Sequence, residues 1–323
     1  MKAIVYTTYG PPDVLQLTEI ERPTPKDNEV LIQVRAASVN PLDWHYMRGA
    51  PYIVRTDTGL RKPKNQRLGV DLAGRVEAVG SSVTQFQPGD EVFGSRQGAF
   101  AQYVCTQGKA LVRKPENLTF EQAAAIPVAG CTALQGLRDK GQIQPGQKVL
   151  INGAAGGVGT FAVQIAKAFG AEVTAVCSTR NLDMVRSIGA DHVIDYTRED
   201  FTRGGRRYDL LFDCVGNHSL FACRRVLSPT GTCVMVGGSS DGRWIGPLAG
   251  WLKALALSRF VSQNLVWFLA STNNEDLIIL KELIEAGKVT PVIDRCYSLH
   301  EVPEAIGYLE GGHARGKVVI TVE

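Results

Sequence analysis

Four glycines and two alanines between Asn152 and Thr160 carry the clearest chemical signal in the chain. A short apolar run at 149–151 precedes them, and a helical pattern at 161–169 follows. Glycines at such a junction let the backbone approach a pyrophosphate, and the N–H groups and dipole of the helix favour its negative charge. The pattern predicts a dinucleotide site in which Ala154 replaces the first glycine of the usual G-x-G-x-x-G motif. A purely structural glycine turn is the alternative.

The residues after the next predicted strand, at 172–176, indicate which nicotinamide cofactor is bound. A site for NADH usually has Asp or Glu there, accepting from the ribose 2′-hydroxyl. No carboxylate occurs here before Asp183, whereas Ser178 and Arg180 are able to donate to a 2′-phosphate. We therefore predict NADPH as the cofactor. Arg180 as an ordinary solvated residue is the alternative, and Tyr196 is expected either at the adenosine end or in a packing role.

Composition limits the class of protein and its location. The 323 residues exceed one typical core, and 44% hydrophobic with 21% charged residues is ordinary for a globular protein. A net charge of +3 gives no reason to expect nucleic acid as a partner. The seven cysteines form no C-x-x-C pair, and the chain starts with a strand-like run, so we expect a cytoplasmic protein without a signal peptide. No apolar run is long enough to span a bilayer, so stable membrane insertion is not expected.

The pattern of predicted secondary structure changes along the chain. Strand-like segments punctuated by Gly and Pro fill residues 1–123, as in a small antiparallel barrel, and the predicted strands are 3–6, 29–35, 74–79, 90–93 and 99–104. From 124 to 272 strands alternate with helices, which predicts a doubly wound parallel sheet with further strands at 193–195, 210–215, 233–236 and 265–269. A helix is predicted at 274–286 and a returning strand at 317–322. The fold class is therefore α/β.

Motifs along the whole chain resemble those of the medium-chain dehydrogenase/reductase superfamily. They are AASVNPLD (36–43), GVDLAG (69–74), VEAVG (76–80), PGDEV (88–92), IPVAGCTA (126–133), NGAAGGVG (152–159), GADHVIDY (189–196) and HARGKV (313–318). The quinone-oxidoreductase branch, with its zeta-crystallin-like and plant enone-reductase-like members, is the most similar. The resemblance implies a GroES-like β-barrel domain at 1–123 and 273–323, a Rossmann NADPH-binding domain at 124–272, and an active site in the cleft between them.

The same resemblance tests for zinc. Zinc alcohol dehydrogenases of this superfamily take their metal from a Cys, a His–Glu pair and a later Cys or similar ligand. The matching positions here are Asn40, Val70 with Asp71, and Val128. Zinc requires several N, S or carboxylate donors at once. Asn40, Val70 and Val128 do not supply them, so we expect no metal.

Without zinc, oxidation of an alcohol lacks its usual alkoxide stabiliser. We predict hydride transfer from NADPH to a small apolar quinone or to the C=C bond of an α,β-unsaturated carbonyl. Asn40 is predicted to face the nicotinamide or the substrate carbonyl, with capping of the Asn-Pro turn as the alternative. Tyr52 is predicted to stack on the substrate or donate a proton, with a surface role as the alternative. Asp43 and Arg48 are expected to pair and hold their segment.

The resemblance adds Thr132, Gly237, Arg315 and Lys317 to the residues expected at the cofactor. The complete set predicted to bind NADPH is Thr132, Gly153, Ala155, Gly156, Gly157, Val158, Gly159, Ser178, Arg180, Tyr196, Val215, Gly237, Arg315 and Lys317.

Three segments bear on partners. Residues 244–260 form an amphipathic apolar segment that, by the resemblance, covers the substrate cleft or joins a subunit interface, with a peripheral membrane contact as a third possibility. The basic loop 61–67 is predicted to be a solvated surface loop, with a lid over cofactor or substrate as the alternative. By the same resemblance the strand at 265–269 is a sheet edge, so we expect a homodimer. The alternative function is NADPH binding without catalysis, as a crystallin-like, partner-binding or RNA-binding protein.

Overall fold

The computed structural model describes residues 1–236 and 262–323. The chain forms two compact units. Unit 1 comprises Met1–Cys131, Thr272–Glu285 and Pro291–Glu323, and unit 2 comprises Thr132–Ser271 and Ala286–Thr290. The predicted cofactor residue Gly237 and the apolar segment 244–260 lie outside the described residues. Within the described ranges, no helix is long and apolar enough to cross a membrane.

Unit 1 is built on two sheets. In the smaller sheet, β1 (Lys2–Val5) pairs antiparallel with β2 (Gln16–Glu19). The larger sheet contains β3 (Glu29–Val39), β4 (Asp71–Val79), β5 (Glu91–Ser95), β6 (Tyr103–Gln107), β7 (Leu111–Arg113), β14 (Ile293–Ser298) and β15 (Lys317–Thr321). Its order is β14-β15-β3-β4-β5-β7, with β6 also paired to β3, and only β14 and β15 run parallel. The strand predicted at 99–104 begins only at Tyr103, because Ala101 makes just an isolated bridge to Ala3.

The first helix of unit 1 brings polar groups into its interior. Helix Pro41–Arg48 begins after Asn40, whose backbone N–H donates to Oδ2 of Asp43 at 2.8 Å, and the fixed φ of Pro41 suits a first helical position. The helix ends at Gly49, whose φ of 55° favours glycine. The other helices outside unit 2 are Arg55–Thr58, Phe120–Ala124, Asn274–Glu285 and Val302–Glu310, and Pro127–Gln135 with its π-helical continuation Gly136–Lys140 carries the chain into unit 2.

The core of unit 1 is aliphatic and aromatic. Its fully buried members include Ile4, Tyr6, Ile32, Met47, Leu68, Leu72, Phe100, Leu111, Val318 and Ile320. Helix Val302–Glu310 packs against β15 and β3 and also contacts the first helix. A polar side chain that enters this core must find its hydrogen-bond partners there, since burial without them costs several kcal/mol.

Unit 2 contains a six-stranded parallel sheet. Its strands are β8 (Lys148–Asn152), β9 (Glu172–Cys177), β10 (His192–Asp195), β11 (Tyr208–Asp213), β12 (Leu227–Met235) and β13 (Asn264–Trp267), and its described helices are Gly157–Ala168, Leu182–Ser187 and Leu220–Arg225. The order is β10-β9-β8-β11-β12-β13. From β8 the chain adds strands first on one side (β9, β10) and then on the other (β11, β12, β13). Doubly wound sheets bind ligands at this switch point between β8 and β11. The predicted α/β fold, with one antiparallel and one parallel part, is confirmed.

The last strand of this sheet is shorter than predicted. It covers Asn264–Trp267 rather than 265–269. It pairs with β12 and stands at the end of the strand order in the described part of unit 2. Phe268 turns into the interior, whereas Leu269 is 80% exposed.

Candidate functional site

The glycine loop of unit 2 joins β8 directly to helix Gly157–Ala168. Gly153 has a φ of +83°, a conformation that favours glycine. A methyl group on Gly159 would lie 2.1 Å from the carbonyl oxygen of Gly153 and 2.8 Å from Cα of Ala154. Both contacts are to backbone, which has no room to yield. Gly159 therefore allows the helix to pack closely on the strand.

Gly156 differs from Gly159 in what surrounds it. Among the described residues, the one atom near a methyl group placed there is the Gly153 oxygen at 3.5 Å, so the space that they leave beside Gly156 is open. No side chain caps the helix at this residue, and the first turn contains no acidic residue. The N–H groups of a first helical turn have no acceptor within the helix. This open, donor-rich position fits a pyrophosphate.

The loop after β11 forms a second wall beside the glycine loop. Oδ1 of Asp213 accepts hydrogen bonds from Nδ2 of Asn152 and the backbone N–H of Gly216, both at 2.9 Å, and from Val215 N–H at 3.0 Å. Val215 is thereby held against the glycine loop, because a methyl on Gly153 would lie 2.7 Å from its Cγ2. The sequence interpretation named Val215 but missed Asn152 and Asp213. Their signal was available, since each is a polar residue ending a buried strand next to the other.

The turn after β9 contains one unsatisfied polar atom. Nδ2 of Asn181 donates to Oγ of Ser178 at 3.1 Å, while Oδ1 of Asn181 is buried and finds no hydrogen-bond partner in the part of the chain that the structure describes. Arg180 lies between them in sequence and is exposed. A buried amide end left unpaired is costly unless a ligand or water satisfies it. The turn predicted to hold the adenosine ribose therefore fits a polar group there.

A carboxylate lies closer to this turn than the sequence interpretation assumed. Asp195 ends β10, and the parallel register places it beside Cys177 at the end of β9. Its Oδ2 accepts from Oγ1 of Thr179 at 2.5 Å and its Oδ1 from Oγ1 of Thr197 at 2.7 Å. These hydrogen bonds hold the pKa of Asp195 below its usual value. The carboxylate is ionised and committed to the two threonines, and the adjacent Tyr196 is 56% exposed.

In unit 1, Lys317, Asn40 and Asp71 form a buried network. Their exposed fractions are 3%, 2% and 0%. Nζ of Lys317 donates to Oδ1 of Asn40 at 2.6 Å, and Nδ2 of Asn40 donates to Oδ2 of Asp71 at 2.9 Å. Nζ of Lys317 is also 3.6 Å from Oδ2 of Asp71. The structure thus brings together one residue predicted to be catalytic and one predicted to bind cofactor.

The network uses almost every polar atom of its members. Asp71 also accepts from Oγ of Ser38 at 2.9 Å and from Val128 N–H at 3.1 Å, and Nδ2 of Asn40 donates a second bond to the Ser38 carbonyl at 3.3 Å. Both N–H bonds of the Asn40 amide are therefore engaged, which limits this side chain to accepting from any further group. Burial raises the pKa of Asp71 and lowers that of Lys317, and each partner opposes the shift of the other.

Asp43 is fully buried beside this network. Its Oδ2 accepts from Asn40 N–H at 2.8 Å and its Oδ1 from Gly69 N–H at 3.1 Å. Desolvation raises the pKa of Asp43 to about 7. The expected pair between Asp43 and Arg48 is wrong. Asp43 faces inward at the start of its helix, whereas Arg48, in the last turn, forms a two-pronged ion pair with Glu310.

The residues at the positions that match the zinc ligands of related enzymes form hydrogen bonds within the protein. Asn40 and Asp71 bond each other, Val128 donates its backbone N–H to Asp71, and the carbonyl of Val70 accepts from Arg96 N–H at 2.7 Å. Across residues 1–236 and 262–323, no three His, Cys, Asp or Glu side chains are placed to hold a metal ion.

Tyr52 begins the 3₁₀ turn Tyr52–Val54 at the surface of unit 1 and is 38% exposed. The guanidinium of Arg55 lies 4.8 Å from the centre of its ring and 4.6 Å from that of Tyr9. Nε of Arg55 also donates to the Gly49 carbonyl at 2.8 Å. A cation–π stack thus holds the Tyr52 ring.

The remaining predicted cofactor residues fall in both units. Thr132 is buried in unit 2. Arg315 is an exposed residue of unit 1 whose backbone N–H donates to Asp294 at 2.9 Å. Lys317, in contrast, is enclosed in unit 1 with its ammonium directed to Asn40. The glycine loop and Val215 are adjacent in unit 2, and Ser178 and Arg180 follow the neighbouring strand β9.

Comparison with known proteins agrees with this architecture. Residues 26–116 match the alcohol dehydrogenase GroES-like domain, and residues 188–320 match the family described as zinc-binding dehydrogenase. The chain is 36% identical over 359 residues to the mitochondrial NAD(P)H oxidoreductase RTN4IP1 of Mus musculus, covering 100% of this chain and 89% of that protein. It is 37% identical over 335 residues to the chloroplastic NADPH-dependent alkenal/one oxidoreductase of Arabidopsis thaliana, covering 99% and 79%.

The chain is also similar to a solved structure. The quinone oxidoreductase from Coxiella burnetii superposes with a TM-score of 0.88 at 34% identity, covering 100% of this chain and 99% of that one. Similarity of this extent, over both units and at this identity, establishes common ancestry. The chain belongs to the quinone-oxidoreductase and enone-reductase branch of the medium-chain dehydrogenase/reductase superfamily, and it is an oxidoreductase of that family.

Proposed function

We propose that this protein is an NADPH-dependent, zinc-independent reductase that transfers hydride to a quinone or to the C=C bond of an α,β-unsaturated carbonyl. One observation carries the proposal. The positions corresponding to zinc ligands hold Asn40, Val70 and Val128, and Asn40 is bonded to Lys317 and Asp71. These side chains form a closed hydrogen-bond network rather than a set of metal donors. The substrate must then be electrophilic without a Lewis acid.

The cofactor is proposed to be NADPH rather than NADH. Reduced nicotinamide, when bound, supplies the hydride. The glycine loop is the proposed pyrophosphate site with Val215 beside it, Thr132 is proposed as a further cofactor contact, and Ser178 with Arg180 is proposed to donate to the 2′-phosphate. The Arabidopsis relative is named as NADPH-dependent, which supports this choice. The Asp195 carboxylate near this turn is compatible with NADPH, because both its oxygens already accept hydrogen bonds from threonine hydroxyls.

The protein groups proposed to act near the substrate have distinct roles. Asn40, with its N–H bonds engaged, is proposed to be a fixed acceptor facing the nicotinamide side. Tyr52 is proposed to contact the substrate and to donate the proton that completes the reduction, with water as the other source. Tyr196, Gly237, Arg315 and Lys317 are proposed to contribute further to the cofactor site. The catalytic domain is proposed to be 1–123 with 273–323, and the nucleotide domain 124–272.

Two further parts of the proposal concern the state of the protein in the cell. We propose a homodimer and a cytoplasmic location. The mouse and Arabidopsis relatives are named as mitochondrial and chloroplastic. The alternative function is a protein that binds NADPH without turning over a substrate.

A substrate panel tests the proposal. Purified protein is assayed with NADPH or NADH as the hydride donor and 9,10-phenanthrenequinone, an alkenal or a cyclic enone as the substrate. Ethanol is assayed separately with the oxidised cofactors. Absorbance at the reduced-nicotinamide band is followed in every assay. We expect turnover of a quinone or enone with NADPH, unchanged by a chelator. Efficient ethanol oxidation, or activity lost on chelation together with stoichiometric zinc, would contradict the proposal. Tight NADPH binding without turnover of any substrate would favour the alternative.

A further inference from the structure

The basic segment 55–67 of unit 1 includes a closed surface loop with a fixed backbone. The hydroxyl of Tyr9 donates to the Gly59 carbonyl at 2.6 Å and lies 2.9 Å from Oγ1 of Thr58. Lys64 N–H donates to the Thr58 carbonyl at 2.7 Å, which closes the loop. Gly59 has a φ of +122°, and a methyl on it would lie 2.2 Å from the Lys62 carbonyl oxygen. The side chains at the loop tip are therefore presented from a defined turn.

The loop concentrates positive charge. Segment 55–67 contains five basic residues and one acidic residue, Asp57. Arg55 is committed to the stack with Tyr9 and Tyr52, but the next three cations, Arg61, Lys62 and Lys64, are exposed. Among the ion pairs of residues 1–236 and 262–323, none involves these three.

The same loop exposes apolar surface. Leu60, which immediately precedes Arg61, is 73% exposed, and Ile53 at the other side of helix Arg55–Thr58 is 40% exposed. In the described part of the chain, only Leu269 among large hydrophobic residues is more exposed than Leu60. An exposed leucine on an ordered, cation-rich turn has no role in the interior of unit 1. Apolar surface and exposed positive charge therefore occur together on one turn.

We propose that loop 59–64 is a docking surface for an anionic lipid membrane, with Leu60 entering the interface and Arg61, Lys62 and Lys64 at the headgroups. Cations are attracted to a negatively charged leaflet, and an exposed aliphatic side chain adds binding energy when it is buried in the membrane interface. A nucleic acid would use the cations but not Leu60, and a soluble anion would need neither the leucine nor its exposure. The proposal goes beyond the proposed function and does not depend on it.

Vesicle sedimentation with the full-length protein tests this docking. Vesicles of phosphatidylcholine, with and without phosphatidylglycerol, are used at low and high salt. We expect binding to the anionic vesicles only, weakened by salt because exposed charges are screened. R61Q/K62Q/K64Q should bind about 100-fold more weakly, since each cation near such a surface contributes about fivefold. L60S should weaken binding severalfold without changing its salt dependence.

A charge-matched variant controls for the net charge of the protein. K109Q/K148Q/K288Q removes the same three charges from scattered exposed positions and should bind like the unaltered protein. Equal thermal unfolding temperatures would show that both triple variants are folded. Equal loss of binding in the two triple variants, equal binding to neutral vesicles, or no binding to anionic vesicles would overturn the proposal. A further result would also overturn it and would indicate a small-anion site instead. In that case the unaltered protein does not bind vesicles but is thermally stabilised by inorganic phosphate, and R61Q/K62Q/K64Q alone loses this stabilisation.

Discussion

The ammonium of Lys317 donates a 2.6 Å hydrogen bond to the side-chain oxygen of Asn40. The two residues are far apart in sequence, but β15 begins at Lys317 and β3 ends just before Asn40. The antiparallel register pairs Val318 with Val39 and so fixes the contact. Through Asn40, the cation is connected to the Asp71 carboxylate inside the core of unit 1. A buried ion pair of this kind is costly to break from one side only.

The first prediction concerns that asymmetry. Lys317→Met should lower the free energy of unfolding by about 3–5 kcal/mol, because Asp71 is left charged and buried. Asp71→Asn should cost much less in the K317M background than in the unaltered protein, since the uncompensated charge is then gone. Urea unfolding of the four proteins in a double-mutant cycle measures the coupling. Additive losses from the two substitutions would show that the pair does not interact.

The second prediction is a pH dependence that comes from Asp43. Its folded-state pKa of about 7 lies above the ordinary value of 3.8, because of desolvation. The folded protein therefore keeps the proton where the unfolded chain has lost it. The stability that this group contributes is complete below about pH 4 and is lost as the pH rises to about 7, by at most about 4 kcal/mol.

Urea unfolding of the unaltered protein and of Asp43→Asn between these pH values tests this sign. The amide introduced by this substitution cannot titrate and accepts through one oxygen only, so the variant should be less stable overall but should decline less with pH. Chloride-matched buffers keep screening constant between measurements. A variant whose stability falls with pH as steeply as that of the unaltered protein would place the titration elsewhere.

The third prediction compares two glycines in the same loop. Gly159→Ala places a methyl 2.1 Å from the Gly153 oxygen, so we expect a loss of several kcal/mol in stability or no folded protein. Within residues 1–236 and 262–323, the methyl of Gly156→Ala meets only the Gly153 oxygen at 3.5 Å, so stability should change by about 1 kcal/mol or less. Its methyl would instead occupy the space proposed for the pyrophosphate.

Thermal unfolding and NADPH titration by fluorescence distinguish the two effects. Gly156→Ala should keep the unfolding temperature and weaken NADPH binding by about tenfold or more, equivalent to roughly 1.4 kcal/mol. Each variant serves as the control for the other. Unchanged NADPH affinity in a folded Gly156→Ala protein would mean that the cofactor does not approach this backbone.

Local patterns allowed the fold to be predicted, and long-range hydrogen bonds explain what was missed. The strands of unit 2 and the glycine turn have short-range signals, namely apolar runs and residues with special backbone freedom. Asp195 was overlooked because its proximity to the end of β9 depends on strand order, not on sequence distance. The same holds for Asn152 with Asp213, and for Lys317 with Asn40. Arg48 was assigned the wrong partner because Glu310 lies on a helix distant in sequence.

The fourth prediction concerns cofactor choice. Arg180→Ala should reduce the preference for NADPH over NADH by about 10- to 100-fold, the range expected for one charge-assisted hydrogen bond. NADH affinity should hardly change, because NADH lacks the 2′-phosphate. Arg203→Ala removes another exposed arginine of unit 2 and serves as the control. Dissociation constants for both cofactors decide it, and tighter binding of NADH than NADPH to the unaltered protein would contradict the prediction.

The fifth prediction is a homodimer formed through strand β13. This strand pairs with β12 on one side and ends the strand order of the described sheet, and its residues Leu265, Val266 and Trp267 are only half-buried. An apolar edge with unpaired backbone groups favours pairing with another strand, and the same strand of a second copy offers a self-complementary surface. Trp267 is of a residue type enriched in interface cores.

Light scattering at micromolar concentration should therefore give twice the chain mass of 35.0 kDa. Val266→Pro should shift the mass towards one chain or unfold the protein, because proline removes a backbone donor from the strand. Val266→Thr keeps that donor and the β-branched shape, so it should remain a dimer. A mass of one chain for the unaltered protein would reject the dimer and would favour an edge covered from within the same chain, and a dimer that survives Val266→Pro would place the interface on another surface.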